Sequence, residues 1–294
     1  MSISLMIAGM PNSGKTTFIA ALHHCLKNSE NSRVNFSMDG LSSDERHLNY
    51  LSSQWLNCEQ IAHTKEPTES WVELRIKNNL SGEKAVLNVP DLRGELFEQP
   101  ATKGVCEAEL LQQLTESNAI LLFLNADVAM DDLTIAEEAA MAGVAVENPR
   151  IDDSDDAGKA ISIPEFKPSD MAEEAKIVEL LQTLNRRPLI AKERKVALVI
   201  SGWDAVLDSP KPKDWLERNR PMISQYLKYN DKEWNCEVYG LSAQGGKLPD
   251  ERQRLMGIEI PSERTVIVGN NVRPHDITAP LQWLLDTPQV IDPK

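Results

Sequence analysis

The stretch "GMPNSGKTT", Gly9 to Thr17, carries the residue types and spacing of a polyphosphate cradle. Gly9 and Gly14 frame four residues and are followed directly by Lys15 and Thr16, a full match to GxxxxGK[ST]. Glycines let a backbone approach an anion closely, and the N–H groups at a helix start carry partial positive charge. The backbone N–H groups of Asn12 through Thr16 are therefore expected to face phosphate oxygens, with Pro11, Ser13, Gly14 and Thr17 completing the binding loop. Lys15 is expected to reach the β and γ phosphates, and the Thr16 hydroxyl to ligate Mg²⁺.

Three further segments end apolar runs and offer chemistry at the same edge of a sheet. "DLRG" places Asp91 to hold Mg²⁺ through water and the Gly94 N–H to sense a terminal phosphate. "SGWD" ends in Asp204, whose carboxylate can accept from the N1–H and amino group of guanine; adenine offers no such pair of donors. "GLSAQGG" sets the backbone of Ser242 and Ala243, with Gln244 beside them, where a short loop would meet the guanine carbonyl. In this order, each on its own strand, these segments favour guanine.

Such residues work only if strands and helices deliver them to one place. Short apolar runs alternate with segments of helical period, the pattern of a mostly parallel sheet covered on both faces. Six strands are expected: "ISLMIAG" from Ile3, "WVELRIKN" from Trp71, "KAVLNVPD" from Lys84, "AILLFLNA" from Ala119, "VALVISGWD" from Val196 and "EVYGLSA" from Glu237. The second alternates apolar and polar residues and joins the third through "NLSGE", so the pair reads as an antiparallel hairpin at the sheet edge. The expected architecture is α/β, with a six-stranded, mostly parallel sheet and one antiparallel edge strand.

Helices fill the intervals. One should open at Thr16, and another lie in "SSDERHLNYLSSQWLNCEQIA", with Leu48, Leu51, Trp55 and Ile61 near one face and Ser42 and Glu45 as a capping box. That second segment, about residues 38 to 63, is an insertion in a minimal nucleotide-binding fold. A helix should follow "DLRGELFEQ" with Leu110, Leu111 and Leu114 facing the core, and "ITAPLQWLL" from Ile277 should pack on the sheet edge. Residues from about 127 to 168 read as an acidic insertion, in which "DVAMDDLTIAEEAAMAG" could be helical and "ENPRIDDSDDAGKAIS", acidic and with few apolar side chains, reads as a solvated loop. The whole chain, 1 to 294, reads as a single domain.

Composition sets limits on partners. A net charge of −14 argues against a nucleic-acid or anionic-membrane ligand, so a protein partner or homo-oligomer is expected. The four cysteines form no CxxC pair, which suits a reducing cytoplasm. The longest apolar run is strand-sized, and no leader-like segment opens the chain, so a soluble, cytoplasmic protein is expected. His23 and His24 are adjacent in a helix and point to different faces, which disfavours a shared metal.

Taken together, the cradle, "DLRG", "SGWD" and "LSAQ" resemble the P-loop GTPases of the translation-factor-related class, which includes the Ras-like proteins. The insertion before "HTKEPTESW", the "DLRGE" sequence, the SxWD form and the "PLQWLL" ending resemble the double-GTPase domains of bacterial conflict and phage-defence operons. The resemblance implies a three-layer Ras-like G domain that binds GTP with Mg²⁺, hydrolyses it and switches a protein partner: a second GTPase, an effector or an activator. It implies that Glu95 stands where Ras-like proteins carry a water-orienting Gln, although a first-turn Glu also suits a helix dipole. The switch threonine that meets Mg²⁺ and the γ-phosphate would be Thr68, with Thr64 as the competitor. Arg93 is open to either a charge-stabilising or a partner-contacting role. Gly202 replaces the usual base-covering Lys, leaving Trp203 as a candidate to cover the ring. Two other readings stay open: a guanine-nucleotide scaffold without hydrolysis, and a P-loop ATPase or kinase, which would leave "SGWD" and "LSAQ" unexplained.

Overall fold

The computed structural model describes residues 3–28, 33–42, 44–61, 72–89, 95–126, 171–187, 189, 192–208 and 210–286. Its centre is one eight-stranded sheet in the order β2-β3-β4-β1-β5-β6-β7-β8. The strands are β1 (Ile3–Gly9), β2 (Phe36–Met38), β3 (Val72–Asn78), β4 (Lys84–Val89), β5 (Ala119–Asn125), β6 (Arg194–Ser201), β7 (Trp234–Ser242) and β8 (Val266–Val268). The five strands β4, β1, β5, β6 and β7 run parallel, while β2 pairs with β3, β3 with β4, and β8 with β7 in antiparallel fashion.

This corrects the expected sheet of six strands with one antiparallel edge. The hairpin of β3 and β4 is present, but β2 covers its outer side and β8 closes the opposite edge. Both unforeseen strands have three residues, too few to show a period of two. The inner strands are legible because both of their faces are covered: every residue of β5 but the last is buried, whereas β3 alternates buried and exposed positions.

Helices lie on both faces. On one face α1 (Lys15–Lys27) packs against α2 (Glu45–Leu56), and α9 (Ala279–Leu285) crosses β5 and β6. The last helix therefore sits over the middle of the sheet, not its edge as expected, because Leu281 and Leu285 are apolar enough to join Phe123 and Val199 in the same core. On the other face stand α3 (Glu95–Lys103), α4 (Ala108–Glu116), α5 (Glu173–Leu184), α6 (Pro212–Asn219) and α7 (Pro221–Tyr229), with α8 (Arg252–Met256) in the connection from β7 to β8. Successive strand side chains serve opposite cores: Leu121 and Phe123 face α1, while Ile120, Leu122 and Leu124 join Phe97, Ile177 and Leu181.

The inserted helix starts two residues later than expected. Its cap is Asp44, whose carboxylate accepts from the His47 N–H at 3.1 Å, and not Ser42. Half of the expected capping box survives, since the Glu45 carboxylate accepts from the Ser42 backbone. Leu48, Leu51 and Trp55 are buried as the periodicity requires; Ile61 lies beyond the helix end but still touches this core. Among the described residues no helix is long and apolar enough to cross a membrane. The acidic stretch 127–168 lies outside the described residues.

Candidate functional site

Strand register gathers the site. Parallel pairing sets Gly9 beside Phe123, Asn125 beside Ser201, and Ser201 beside Leu241, so the carboxyl ends of β1, β5, β6 and β7 form one edge. Open α/β sheets bind ligands at that edge.

The phosphate loop leaves β1 there and turns into α1. Gly14 precedes the helix at φ 85°, and a Cβ on it would lie 2.7 Å from the Ser201 Cβ, so only glycine fits. The Lys15 ammonium folds over the loop and donates to the carbonyls of Gly9 at 2.9 Å and Met10 at 2.7 Å and to the Ser13 hydroxyl at 3.0 Å. Burial pushes its pKa down to about 8, offset in part by the carboxylate of Glu173. A cation held by neutral acceptors at the start of a helix with no acidic first-turn residue is matched to an anion, so these residues fit the phosphates of a nucleotide. Thr16 and Thr17 stand half-buried in the same turn, where the Thr16 hydroxyl suits a hard cation.

Two residues not singled out from the sequence pin this loop. Asn125, at the end of β5, donates through its amide to the Asn12 carbonyl at 2.9 Å, and the Ser201 hydroxyl donates to the Ser13 carbonyl at 2.9 Å. Each is the polar residue that ends a buried strand, the signal that could have marked them.

"SGWD" turns sharply after β6. Gly202 adopts φ 66°, and a 3₁₀ turn over Trp203–Ala205 follows. Trp203 was a candidate to cover the base, but its indole is 5% exposed, lies against Gly240 of β7 and meets the Trp215 ring edge-on at 6.1 Å. A Cβ at Gly240 would come within 2.2 Å of that ring. The indole is thus a core wedge, and Asp204 is the exposed member of the pair.

The loop after β7 is held from several sides. The Ser242 hydroxyl accepts from the Gly245 N–H at 2.9 Å, the Ala243 carbonyl accepts from the Trp55 indole N–H at 2.9 Å, and the Gln244 amide donates to the Trp55 carbonyl and the Cys58 sulfur, each at 3.5 Å. Gln244 also lines a cleft of about 560 Å³ with Thr17, Glu59, Gln60, Ile61, Gly246 and Leu248. The helix that follows the phosphate loop and the expected base loop therefore meet at one opening.

Asp91, Arg93, Gly94, Thr64 and Thr68 lie outside the described residues, as does the side chain of Glu95, whose backbone opens α3. His23 is fully buried against the Ser52 hydroxyl at 2.8 Å, and burial, reinforced by Lys27, holds its pKa down at about 4. His24 packs its ring on Trp55 at 5.2 Å. The two imidazoles serve α1 packing.

With this geometry in place, comparison with known proteins assigns the family. The family model described as Double-GTPase 1 matches residues 6–284. No curated protein matches the sequence significantly. Among solved structures, bacterial selenocysteine-specific elongation factor EF-Sec is 11% identical over 87% of this chain and 28% of its own, with a TM-score of 0.38. The GTP-bound GTPase-like domain of S. cerevisiae Ski7 is 13% identical over 84% of this chain and 44% of its own, at 0.41. The G domain of the T. maritima FeoB iron transporter is 12% identical over 86% of this chain and 96% of its own, at 0.34. The chain thus spans less than half the length of the first two, and at these identities no activity or partner carries over. The assignment rests on the family model, which covers the sheet, the phosphate loop and the base loop together: the chain belongs to the Double-GTPase 1 family.

Proposed function

We propose that the chain is a Mg²⁺-dependent GTP-hydrolysing switch that controls a protein partner, with bacterial defence as the setting its family resemblance suggests. The observation that supports this reading is the junction of Lys15, Ser13 and Ser201: the strand that carries the guanine-type motif also holds the phosphate loop, through Ser201. An ATPase or kinase reading gives Asp204 no task at that strand end.

In this reading Lys15 leaves its loop acceptors for the β and γ phosphates, and the N–H groups of Asn12 through Thr16 surround them. Asp204 accepts from guanine N1–H and its amino group, while the backbone after Ser242 meets the base carbonyl. Thr16, Asp91 and Thr68 are the residues that would hold Mg²⁺, which supplies charge neutralisation at the phosphates. Glu95 orients the attacking water, and its negative charge near the γ-phosphate makes intrinsic turnover slow. Ordering of Thr68 and Gly94 by the γ-phosphate, and their release after hydrolysis, changes the surface offered to a partner.

The deciding experiment is binding of GTP, GDP and ATP together with single-turnover hydrolysis of GTP and ATP in Mg²⁺, for wild type and Glu95→Ala. GTP-selective binding with hydrolysis that falls in the variant supports the switch. GTP-selective binding without turnover replaces it with a scaffold or a partner-activated enzyme, and ATP selectivity overturns the role of Asp204.

A further inference from the structure

The inserted helix α2 does more than cover the sheet. Its last turn touches the loop after β7 at several points. Trp55, fully buried, donates its indole N–H to the Ala243 carbonyl at 2.9 Å, and its own carbonyl accepts from the Gln244 amide at 3.5 Å. Cys58, just past the helix end, accepts from the same Gln244 amide at 3.5 Å and from Arg264 at 3.2 Å. Arg264 is itself buried; it donates to the Leu56 carbonyl at 2.9 Å and sets its guanidinium 5.6 Å from the Trp55 ring centre. The His24 ring of α1 lies 5.2 Å from the same indole. Trp55 is therefore held between the helix that follows the phosphate loop and a buried arginine, with its one polar atom committed to the base loop.

We propose that Trp55 is the positioning residue of the base loop, so that the choice of nucleotide base is set from the inserted helix. The proposal rests on the guanine-nucleotide reading above and deepens it. Its physical basis is the planarity of the peptide bond: C=O and the following N–H point in opposite directions in a trans unit. Fixing the Ala243 carbonyl on Trp55 therefore fixes the direction of the Gln244 N–H. The indole has a single donor and no acceptor, so it can hold the carbonyl in one sense only. Release of that bond would leave a buried carbonyl unpaired, and the loop would have to move to satisfy it.

The test compares wild type with Trp55→Phe, which keeps an aromatic ring between His24 and Arg264 and removes the N–H. Affinities for GTP, ATP and inorganic tripolyphosphate are measured by calorimetry, and exchange of the Gly245 amide by hydrogen–deuterium exchange on the nucleotide-free protein. Tripolyphosphate reports the cradle alone, and the GTP to ATP ratio reports the base loop. The expected result is a fall of about fivefold or more in GTP affinity, the cost of one buried hydrogen bond. ATP and tripolyphosphate affinities should stay within about twofold, well below the effect of such a bond. The Gly245 amide, now bonded to Ser242, should exchange faster. An unchanged GTP to ATP ratio with unchanged Gly245 exchange overturns the proposal, and so does an equal loss for all three ligands, which would mark a general packing defect. Should Trp55→Phe not fold, Arg264→Lys, which removes the planar cation from the indole, is judged by the same ratio and exchange. A wild-type protein that binds tripolyphosphate but shows no preference for GTP overturns the guanine reading instead; faster Gly245 exchange in the variant would still support Trp55 as the brace of the loop.

Discussion

Ser201 donates its hydroxyl to the carbonyl of Ser13 at 2.9 Å, joining the end of β6 to the phosphate loop across 188 positions of chain. The bond is buried and neutral, and such bonds stabilise by about 1 kcal/mol. Ser201→Ala should lower unfolding free energy by about that amount and weaken nucleotide binding roughly fivefold. Denaturant unfolding and nucleotide titration read the two effects, and a variant that matches wild type in both would show that β6 does not position the loop.

Lys15 couples stability to pH. Burial brings its folded pKa to about 8 from the ordinary 10.5, so below the lower value the lysine is protonated in both states and the folded protein bears the full burial cost. Between the two values the unfolded chain holds a proton that the folded chain has released, and stability rises with pH. The expected contribution is a gain of about 1.4 kcal/mol per pH unit inside that window. The difference in unfolding free energy between nucleotide-free wild type and Lys15→Met should follow this rise; a flat difference would remove the buried-ammonium account. The same variant should lose nucleotide binding, since no other side chain in the loop carries a positive charge.

Gly240 has no room for a side chain because the Trp203 ring occupies the space, at 2.2 Å from where a Cβ would stand. Gly240→Ala must push back a buried indole, and overpacking of this kind costs about 1–3 kcal/mol. The expected result is a lower melting temperature together with weaker guanine selectivity, because Asp204 is carried by the same 3₁₀ turn as Trp203. Loss of stability with selectivity intact would separate the wedge from the base site.

Asp204 is exposed at the strand edge, free of the packing that holds its neighbour Trp203. Asp204→Asn exchanges an acceptor pair for an amide that offers a donor, which matches xanthine, whose carbonyl replaces the guanine amino group. Preference should pass from GTP to XTP with the fold unchanged, and one mismatched buried hydrogen bond sets the scale at roughly tenfold. Competition binding of the two nucleotides measures it; no change in the ratio would detach Asp204 from base recognition.

What could be read in the sequence was local. The phosphate loop is contiguous, and strand, glycine, lysine and threonine lie in one short stretch, so their chemistry needs no distant partner. The inner strands were equally legible, since burial on two faces writes an unbroken apolar run. The edge strands were not, because three residues such as "FSM" or "VIV" carry no period and pair only when a neighbour offers its edge.

The sequence by itself determined the residue types at the ends of β1, β6 and β7, and with them the fold class and the family. Tertiary structure decided which of those residues meet. Asn125 and Ser201 hold the phosphate loop because parallel register sets them side by side at the carboxyl ends of β5 and β6, the two strands that follow β1 in the sheet. Trp203 is a core wedge because a glycine on the next strand leaves a slot for its ring. Trp55 reaches Ala243 across 188 positions only because α2 lies along α1. Hydrogen bonds and steric fit act over a few ångströms in space, and spacing along the chain holds no record of such distances until the sheet has closed.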